Sequence, residues 1–238
     1  MRWLALVLGL TAFPAGAETC RLALALAIDV SRSVNDEDYL LQTDGLIAAL
    51  EDAAVRRAFF DASGEVALAI YYWSGTGHQQ PVLDWTRILA PADLDGVAAA
   101  LRAAERPPQR MATALGAALQ HGHDLLQRAP DCRRRVLDMA GDGRNNEGPG
   151  PGQIFADADF AGITVNALAI GEHESGLRAY FEAEIRRGPG SFVEIADRQS
   201  DFPIAMRRKL LRELAETFAG TPAACGCLPM RPGSSSSQ

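Results

Sequence analysis

The most constraining feature of this chain is an apolar run at residues 22–30 that reaches an aspartate and is followed by two serines. A run of leucine, alanine and isoleucine of this length is typical of a β-strand buried on both faces of a sheet. The polar residues Asp29, Ser31 and Ser33 come where such a strand would leave the sheet. Their oxygens are ligands that a hard divalent cation such as Mg²⁺ prefers. By itself, the pattern also fits a strand end followed by a serine-rich helix cap.

Apolar segments alternate with amphipathic patterns along the rest of the chain. The predicted strands cover residues 22–30, 66–73, 82–88, 135–140, 163–170 and 192–195. The predicted helices cover residues 36–59, 92–104, 112–128, 175–186 and 201–218. This alternation predicts an α/β fold of three layers, with a doubly wound, mostly parallel six-stranded sheet between helices. Residues 80–88 closely follow a glycine turn, so we expect an antiparallel edge strand beside residues 66–73.

The two ends of the chain differ in composition from its centre. Residues 1–17 combine a short basic start, an apolar run and the small-residue pattern Ala15-Gly16-Ala17, which together predict a secretory signal peptide cleaved after Ala17. The apolar run is shorter than the roughly 20 residues that span a bilayer. We therefore expect a periplasmic or secreted protein without membrane insertion after cleavage. One domain is expected over residues 18–222 and a disordered tail over residues 223–238.

The charge balance excludes two classes of partner. The full sequence carries 23 basic and 30 acidic residues, a net charge of −7. Loss of residues 1–17 removes Arg2 and no acid, so the mature chain would carry a net charge of −8. The basic clusters at residues 133–135 and 207–209 are short. Nucleic acids and anionic membrane surfaces are therefore poor candidates as partners.

Four cysteines in an exported chain suggest disulfide bonds. Cys20 and Cys132 each precede a predicted strand-end aspartate, whereas Cys225 and Cys227 lie close together near the C-terminus. A Cys20–Cys132 bond would join the starts of two strands. A bond from Cys20 to Cys225 or Cys227 would instead join the two ends of the chain. The sequence does not decide between these pairings.

Two further polar residues meet the requirement that a ligand site in an open α/β sheet lies at the carboxyl ends of the strands. Thr113 lies at the start of the predicted helix 112–128, where a threonine commonly caps the helix. Asp142 follows the predicted strand 135–140 and is flanked by Gly141 and Gly143, which allow a sharp turn. We expect both side chains to lie near the turn that contains Asp29.

These three motifs, in this order, resemble the metal-ion-dependent adhesion site of the von Willebrand factor type A domain. The resemblance covers roughly residues 20–218 and is closest to an exported bacterial branch, domain of unknown function family 1194. Two positions depart from the usual pattern, because Ala112 replaces a glycine before the threonine and Gly141 replaces a threonine of the third motif. The matching segments are A-I-D-V-S-R-S at 27–33, Y-W-S-G at 72–75, T-A-L-G at 113–116 and A-G-D-G-R-N-N at 140–146.

The resemblance implies a metal site and its ligands. Ser31 and Ser33 would coordinate the ion directly, and Thr113 directly or through a water. Asp29 and Asp142 would hold metal-bound waters or coordinate directly. Mg²⁺ is the expected ion, with Mn²⁺ or Ca²⁺ as substitutes. An open coordination position would attract an acidic side chain, so we expect an exported, metal-dependent module that binds a protein ligand.

Two other functions fit parts of the sequence. A phosphoryl-transfer or hydrolase domain would need a second acid where Ser31 stands, or a lysine at the site, and the only lysine is Lys209 in the last predicted helix. The chain also has no G-x-S-x-G motif, and His121 and His123 point to different faces of a helix, so we do not expect an enzyme. A metal-stabilised structural domain without a partner is the remaining alternative.

Three other features have structural interpretations. Asp138 lies inside a predicted strand, so we expect it to face a polar layer or a neighbouring backbone. Trp73 and Trp85 lie on the predicted hairpin and are interpreted as core or edge packing. The last helix is amphipathic and should pack on the sheet through Phe202, Met206, Leu210, Leu211 and Leu214.

Overall fold

Six strands form one sheet: β1 Cys20–Asp29, β2 Val66–Trp73, β3 Gln79–Ile88, β4 Cys132–Gly141, β5 Ile163–Ile170 and β6 Val193–Ala196. The computed structural model describes residues 20–107, 111–171 and 174–215. Across the sheet the strand order is β3-β2-β1-β4-β5-β6. All neighbouring strands are parallel except β2 and β3. This confirms the predicted doubly wound α/β sheet with one antiparallel edge strand.

The helices of the described residues are α1 Asp36–Glu51, α2 Ala53–Phe60, α3 Pro91–Ala103, α4 Leu115–Gln127, α5 Pro151–Asp157, α6 Leu177–Tyr180 and α7 Phe202–Leu214. A π-helical turn at Phe181–Ile185 continues α6, and a 3-10 turn at Gln199–Asp201 precedes α7. None of the described helices is long and apolar enough to cross a membrane. The predicted leader and tail lie outside the described residues.

The prediction of one continuous helix over residues 36–59 is wrong, because the helix is interrupted at Asp52, between α1 and α2. The Asp52 carboxylate accepts hydrogen bonds from the amides of Ala54 and Val55 at 2.9 and 3.1 Å. An aspartate that binds these amides caps a new helix instead of continuing the old one. The short helix α5 was also not predicted, since it spans only seven residues in a segment rich in glycine and proline.

The helices cover the sheet on both faces. The even-numbered residues of β1, from Leu22 to Ile28, pack against α1, α2, α3 and α7. The small side chains Ala23, Ala25 and Ala27 face α4 and α5. As a result, β1 is buried along its whole length, as the continuous apolar run predicted.

A cluster of buried polar side chains fixes α7 on the sheet, and we call it the Lys209 cluster (Asp138, Asn166, Lys209 and Glu213). Lys209 Nζ lies 3.0 Å from Asp138 Oδ1 and 3.1 Å from Glu213 Oε1. Asn166 Nδ2 donates to Glu213 Oε1 at 2.8 Å. The three ionisable side chains are at most 1% exposed. The expectation that Asp138 faces a polar layer is therefore confirmed, and the only lysine of the chain is part of the core.

A disulfide joins Cys20 to Cys132. The two residues are register partners at the start of β1 and β4, so the bond links the sheet at the end opposite the strand-end aspartates. Of the three pairings that the sequence allowed, the structure has the one between strands. Cys225 and Cys227 lie outside the described residues.

Candidate metal centre

The sheet itself determines where polar side chains can meet. Asp29 is the last residue of β1, and Asp142 directly follows β4. These two strands are central neighbours, and the chain leaves them in opposite directions, towards β2 on one side and β5 on the other. Such a switch point opens a crevice at the carboxyl ends of the strands. Both aspartates therefore lie at the place where this fold class binds ligands.

The turn after β1 brings its hydroxyl groups back towards Asp29. The Ser31 amide donates to Asp29 Oδ1 at 2.7 Å, and the Val34 amide donates to the Ser31 carbonyl at 3.1 Å. The Arg32 amide donates to the carbonyl of Met111 at 2.8 Å. This last bond fastens the turn to the loop that carries Thr113.

Four oxygen-bearing side chains meet in a chain of contacts. Ser31 Oγ lies 3.2 Å from Ser33 Oγ, and Thr113 Oγ1 lies 3.3 Å from Ser31 Oγ. Ser33 Oγ donates to Asp142 Oδ1 at 2.6 Å. With Asp29 bound to the amide of Ser31, all five residues singled out in the sequence lie together. Residues separated by more than one hundred positions thus converge on one point.

Thr113 reaches this point in a different way from the one expected. It was predicted at the start of helix 112–128, but α4 begins at Leu115, and the Gly116 amide in its first turn donates to Asn145 Oδ1 at 3.2 Å rather than to Thr113. The Thr113 amide donates to Asn146 Oδ1 at 2.8 Å, and the Asn146 amide donates to the Thr113 carbonyl at 2.9 Å. The loop after β4 therefore holds the threonine in place, which leaves its hydroxyl free to contact Ser31.

Two buried glutamines were not predicted to belong to the site. Gln199 Nε2 donates to Asp142 Oδ2 at 3.4 Å, and Gln42 Nε2 donates to Gln199 Oε1 at 3.2 Å. Both are at most 2% exposed. Through them the site is connected to α1 and to the turn before α7. The only sequence signal was a polar residue on the buried face of α1, and no local pattern indicates its distant partner.

The electrostatics of the two carboxylates favour a cation. Burial and the neighbouring charge of Asp142 raise the pKa of Asp29 to about 8, while hydrogen bonds from Ser31 and the nearby backbone amide of Asp142 lower it in part. Asp29 Oδ2 is buried and accepts no hydrogen bond from the described residues. A buried oxygen without a partner costs about 1–3 kcal/mol. A divalent cation would relieve both the repulsion and the missing interaction, so these residues fit a metal ion.

The donor set also restricts the kind of metal. Within residues 20–107, 111–171 and 174–215, no three histidine, cysteine, aspartate or glutamate side chains cluster as a metal site. The five side chains that meet here instead supply two carboxylates and three hydroxyls, which suit hard cations that keep part of their water shell.

A cleft of about 400 Å³ opens above the convergence. Arg144 forms an ion pair with Glu174 at 2.8 Å and lies 5.3 Å from the centre of the Tyr180 ring. Both members of this ion pair line the opening. The lining residues are Arg32, Ser33, Ala112, Thr113, Asp142, Gly143, Arg144, Asn146 and Glu174.

The chain matches one protein family over most of its length. Residues 19–218 match the family described as protein of unknown function (DUF1194). No curated protein matches the chain in sequence.

Solved structures with the same fold are distant in sequence. Proximal thread matrix protein 1 from the mussel byssus, with a zinc-occupied MIDAS motif, is 18% identical over 83% of this chain and 49% of that chain, with a TM-score of 0.61. A von Willebrand factor type A structure from Catenulispora acidiphila is 16% identical over 82% of this chain and 43% of that chain, with a TM-score of 0.57.

The pilus adhesin SpaC from Lactobacillus rhamnosus GG is 12% identical over 83% of this chain and 30% of that chain, with a TM-score of 0.59. This chain therefore spans half or less of the length of each of these three proteins. At such identities the likeness establishes the fold, which is that of a von Willebrand A domain.

Proposed function

Because this chain belongs to the protein family of unknown function DUF1194 and has a von Willebrand A fold, we propose that it is an exported, divalent-metal-dependent protein-binding module. The proposed metal ligands are Asp29, Ser31, Ser33, Thr113 and Asp142. The observation that carries the proposal is the convergence of these five side chains at the switch point of the sheet.

A bound cation would make this site a receptor for an acidic group. Two carboxylates offset the charge of a divalent ion, and the hydroxyls add none, so the ion stays electron-poor. Ser33 is exposed beside the cleft, so an incoming carboxylate can reach the ion from solvent. Arg32 lines the same cleft and would attract a negatively charged ligand, whereas the charge of Arg144 there is offset by its ion pair with Glu174. We therefore propose a protein partner that presents an aspartate or glutamate side chain.

Mg²⁺ is the proposed ion. It binds through few carboxylates and keeps several waters, as a site with two acids and three hydroxyls requires. Mn²⁺ and Ca²⁺ are the proposed substitutes. The mussel byssus protein with zinc in its MIDAS motif supports a divalent ion at this position of the fold. The proposed location, outside the cytoplasm, follows from the predicted signal peptide and agrees with the pilus adhesin among the structural neighbours.

We propose that the module has no catalytic activity. A hydrolase of this fold class would need a base or a second acid beside its nucleophile. The only lysine, Lys209, is part of the buried cluster under α7. His123 contacts Asp124 and the carbonyl of Asp159, at the surface of α4. The site consequently offers ligand oxygens rather than an acid–base pair.

The proposal is tested by metal-dependent capture of a partner. Immobilised protein is exposed to the exported proteins of its native host with Mg²⁺ or with a chelator. We expect at least one protein to be retained only with Mg²⁺ and only by the unmodified chain, and to be lost with Asp142→Asn. Asp44→Asn, which changes an exposed aspartate on α1, is the matched control and should retain it.

Chemical blocking of the partner's carboxylates should abolish retention, since an acidic side chain is the proposed ligand. Retention that survives the chelator would contradict the proposal. An increase in melting temperature with Mg²⁺, without metal-dependent retention, would instead favour the purely structural role.

A further inference from the structure

A row of three residues crosses the sheet at the metal centre. Asp29 of β1 is the register partner of Trp73 of β2, and on its other side β1 pairs with β4, which ends at Gly141. The alternate residues that precede each of the three all pack into the layer under α4. Trp73, Asp29 and Gly141 therefore lie side by side on one face, about 4.8 Å apart from strand to strand.

The indole of Trp73 extends across Asp29 to the space above Gly141. A methyl group on Gly141 would lie 3.2 Å from Trp73 Cζ2 and 3.2 Å from Asp29 Oδ2. Cζ2 is on the edge of the indole that also carries the N–H group. Because Gly141 has no side chain, this edge of the indole and the Asp29 carboxylate both fit beside its backbone.

Each of these two side chains has one buried polar atom without a hydrogen-bond partner in the part of the chain that the structure describes. Asp29 Oδ1 accepts a hydrogen bond from the Ser31 amide, whereas Oδ2 accepts none from these residues. Trp73 Nε1 is buried and has no acceptor among the described residues. Both residues are 0% exposed. A buried indole donor beside a buried carboxylate oxygen forms a complementary pair, and leaving either one unsatisfied destabilises the folded protein.

We propose that Trp73 is a positioning residue of the metal centre, whose indole N–H holds Asp29 Oδ2 through one buried water. This inference rests on the proposed function, since it assigns the residue that orients a proposed ligand. The Ser31 amide and the indole then hold the two oxygens of Asp29 from opposite sides. The carboxylate is thereby fixed before the cation arrives, and bridging waters serve this purpose nearly as well as direct bonds.

The test compares Mg²⁺ binding by the unmodified mature chain and by Trp73→Phe in titration calorimetry. Phenylalanine keeps an aromatic ring and removes the N–H, so we expect Mg²⁺ affinity to fall by about 10-fold to 100-fold, as for other residues that orient metal ligands. Trp85→Phe is the matched control. Its N–H donates to the Leu125 carbonyl at 3.1 Å, away from the site, and Mg²⁺ affinity should not change.

A second variant tests the same contact if Trp73→Phe does not fold. Gly141→Ala adds the methyl group that would press on both Trp73 Cζ2 and Asp29 Oδ2, so it should also weaken Mg²⁺ binding. Thermal unfolding in chelator confirms that each variant is folded.

A third measurement needs no metal. The nuclear magnetic resonance signal of the Trp73 indole N–H should shift in Asp29→Ala, whereas that of Trp85 should not.

If the unmodified chain binds Mg²⁺ and Trp73→Phe binds it equally well, the inference is overturned and the proposed function stands. If the unmodified chain binds no divalent ion, the proposed function fails, and the role of Trp73 fails with it. An unshifted Trp73 signal in Asp29→Ala would also overturn the inference.

Discussion

Replacing Lys209 by methionine should lower the free energy of unfolding by about 3–5 kcal/mol, which is the usual cost of removing one partner from a buried ion pair. Methionine has nearly the length of lysine, so the packing of α7 is kept. The substitution leaves Asp138 and Glu213 buried without the ammonium group that lies 3.0 and 3.1 Å from them. Chemical denaturation at neutral pH measures the loss.

The loss should also depend on pH. Burial raises the pKa of Asp138 to about 7, while the charge of Lys209 opposes this rise and that of Glu213 adds to it. Without Lys209 the pKa rises further, so the folded variant binds a proton that the unfolded chain, with a pKa near 3.8, releases. Stability that depends on a bound proton falls as pH rises. Asp138 of the unmodified chain also keeps its proton up to about pH 7, so the deficit relative to that chain should be nearly constant between pH 4 and pH 6 and should grow as pH rises above 7.

Two comparisons separate this effect from the general loss of a charge. Arg208→Met removes an exposed cation from the next position, where it pairs with Glu194 at 2.7 Å, and should cost at most about 1 kcal/mol. The triple variant Asp138→Leu, Lys209→Met, Glu213→Gln removes all three charges and keeps an acceptor for Asn166. It should recover at least half of the loss, since uncharged replacements of buried ion pairs are often neutral. A Lys209→Met variant as stable as Arg208→Met would contradict the role of the cluster.

The second large effect is a reversal of relative stability in Asp29→Asn. In chelator at neutral pH, the variant should be more stable than the unmodified chain by up to about 3 kcal/mol, because the raised pKa of Asp29 makes its burial beside Asp142 costly, and asparagine carries no ionisable group. In Mg²⁺ at about 100 times its dissociation constant, the unmodified chain gains about 2.7 kcal/mol, which the variant should largely lose. Thermal melts with and without Mg²⁺ measure both differences.

The sign of each difference distinguishes a metal ligand from an ordinary buried aspartate. If Asp29 only capped the turn through its bond to the Ser31 amide, Asp29→Asn would be destabilising or neutral in both conditions. Asp44→Asn is again the control, and its response to Mg²⁺ should equal that of the unmodified chain. An equal response by Asp29→Asn would remove this residue from the metal centre.

Most of the fold could be predicted because its strands are short, apolar and separated by amphipathic segments. The run at residues 22–30 predicted a strand buried on both faces, and β1 is buried from Cys20 to Asp29. The break at Asp52 was missed because helical periodicity continues across it, and only the capping of Ala54 and Val55 shows that a new helix begins. The end of α1 is therefore set by a capping side chain, which hydrophobic periodicity alone does not reveal.

The candidate site was only partly accessible to sequence reasoning. The rule that ligands bind at the carboxyl ends of parallel strands located Asp29 and Asp142, which the structure brings to one edge. Long-range partners left no local signal: Gln199 contacts Asp142 across 57 residues, and Lys209 pairs with Asp138 in a layer that a strand pattern does not specify. Trp73 was correctly interpreted as core packing, but its unpaired N–H becomes apparent only in three dimensions.

The most direct test of the central claim is a crystal structure of the mature chain grown with Mn²⁺, with the anomalous signal recorded at the manganese edge. We expect one strong peak per chain, in contact with the hydroxyls of Ser31 and Ser33 and beside Asp29, Thr113 and Asp142. A map with no peak among these five side chains, or with the ion bound elsewhere, would contradict the claim that they form a metal centre.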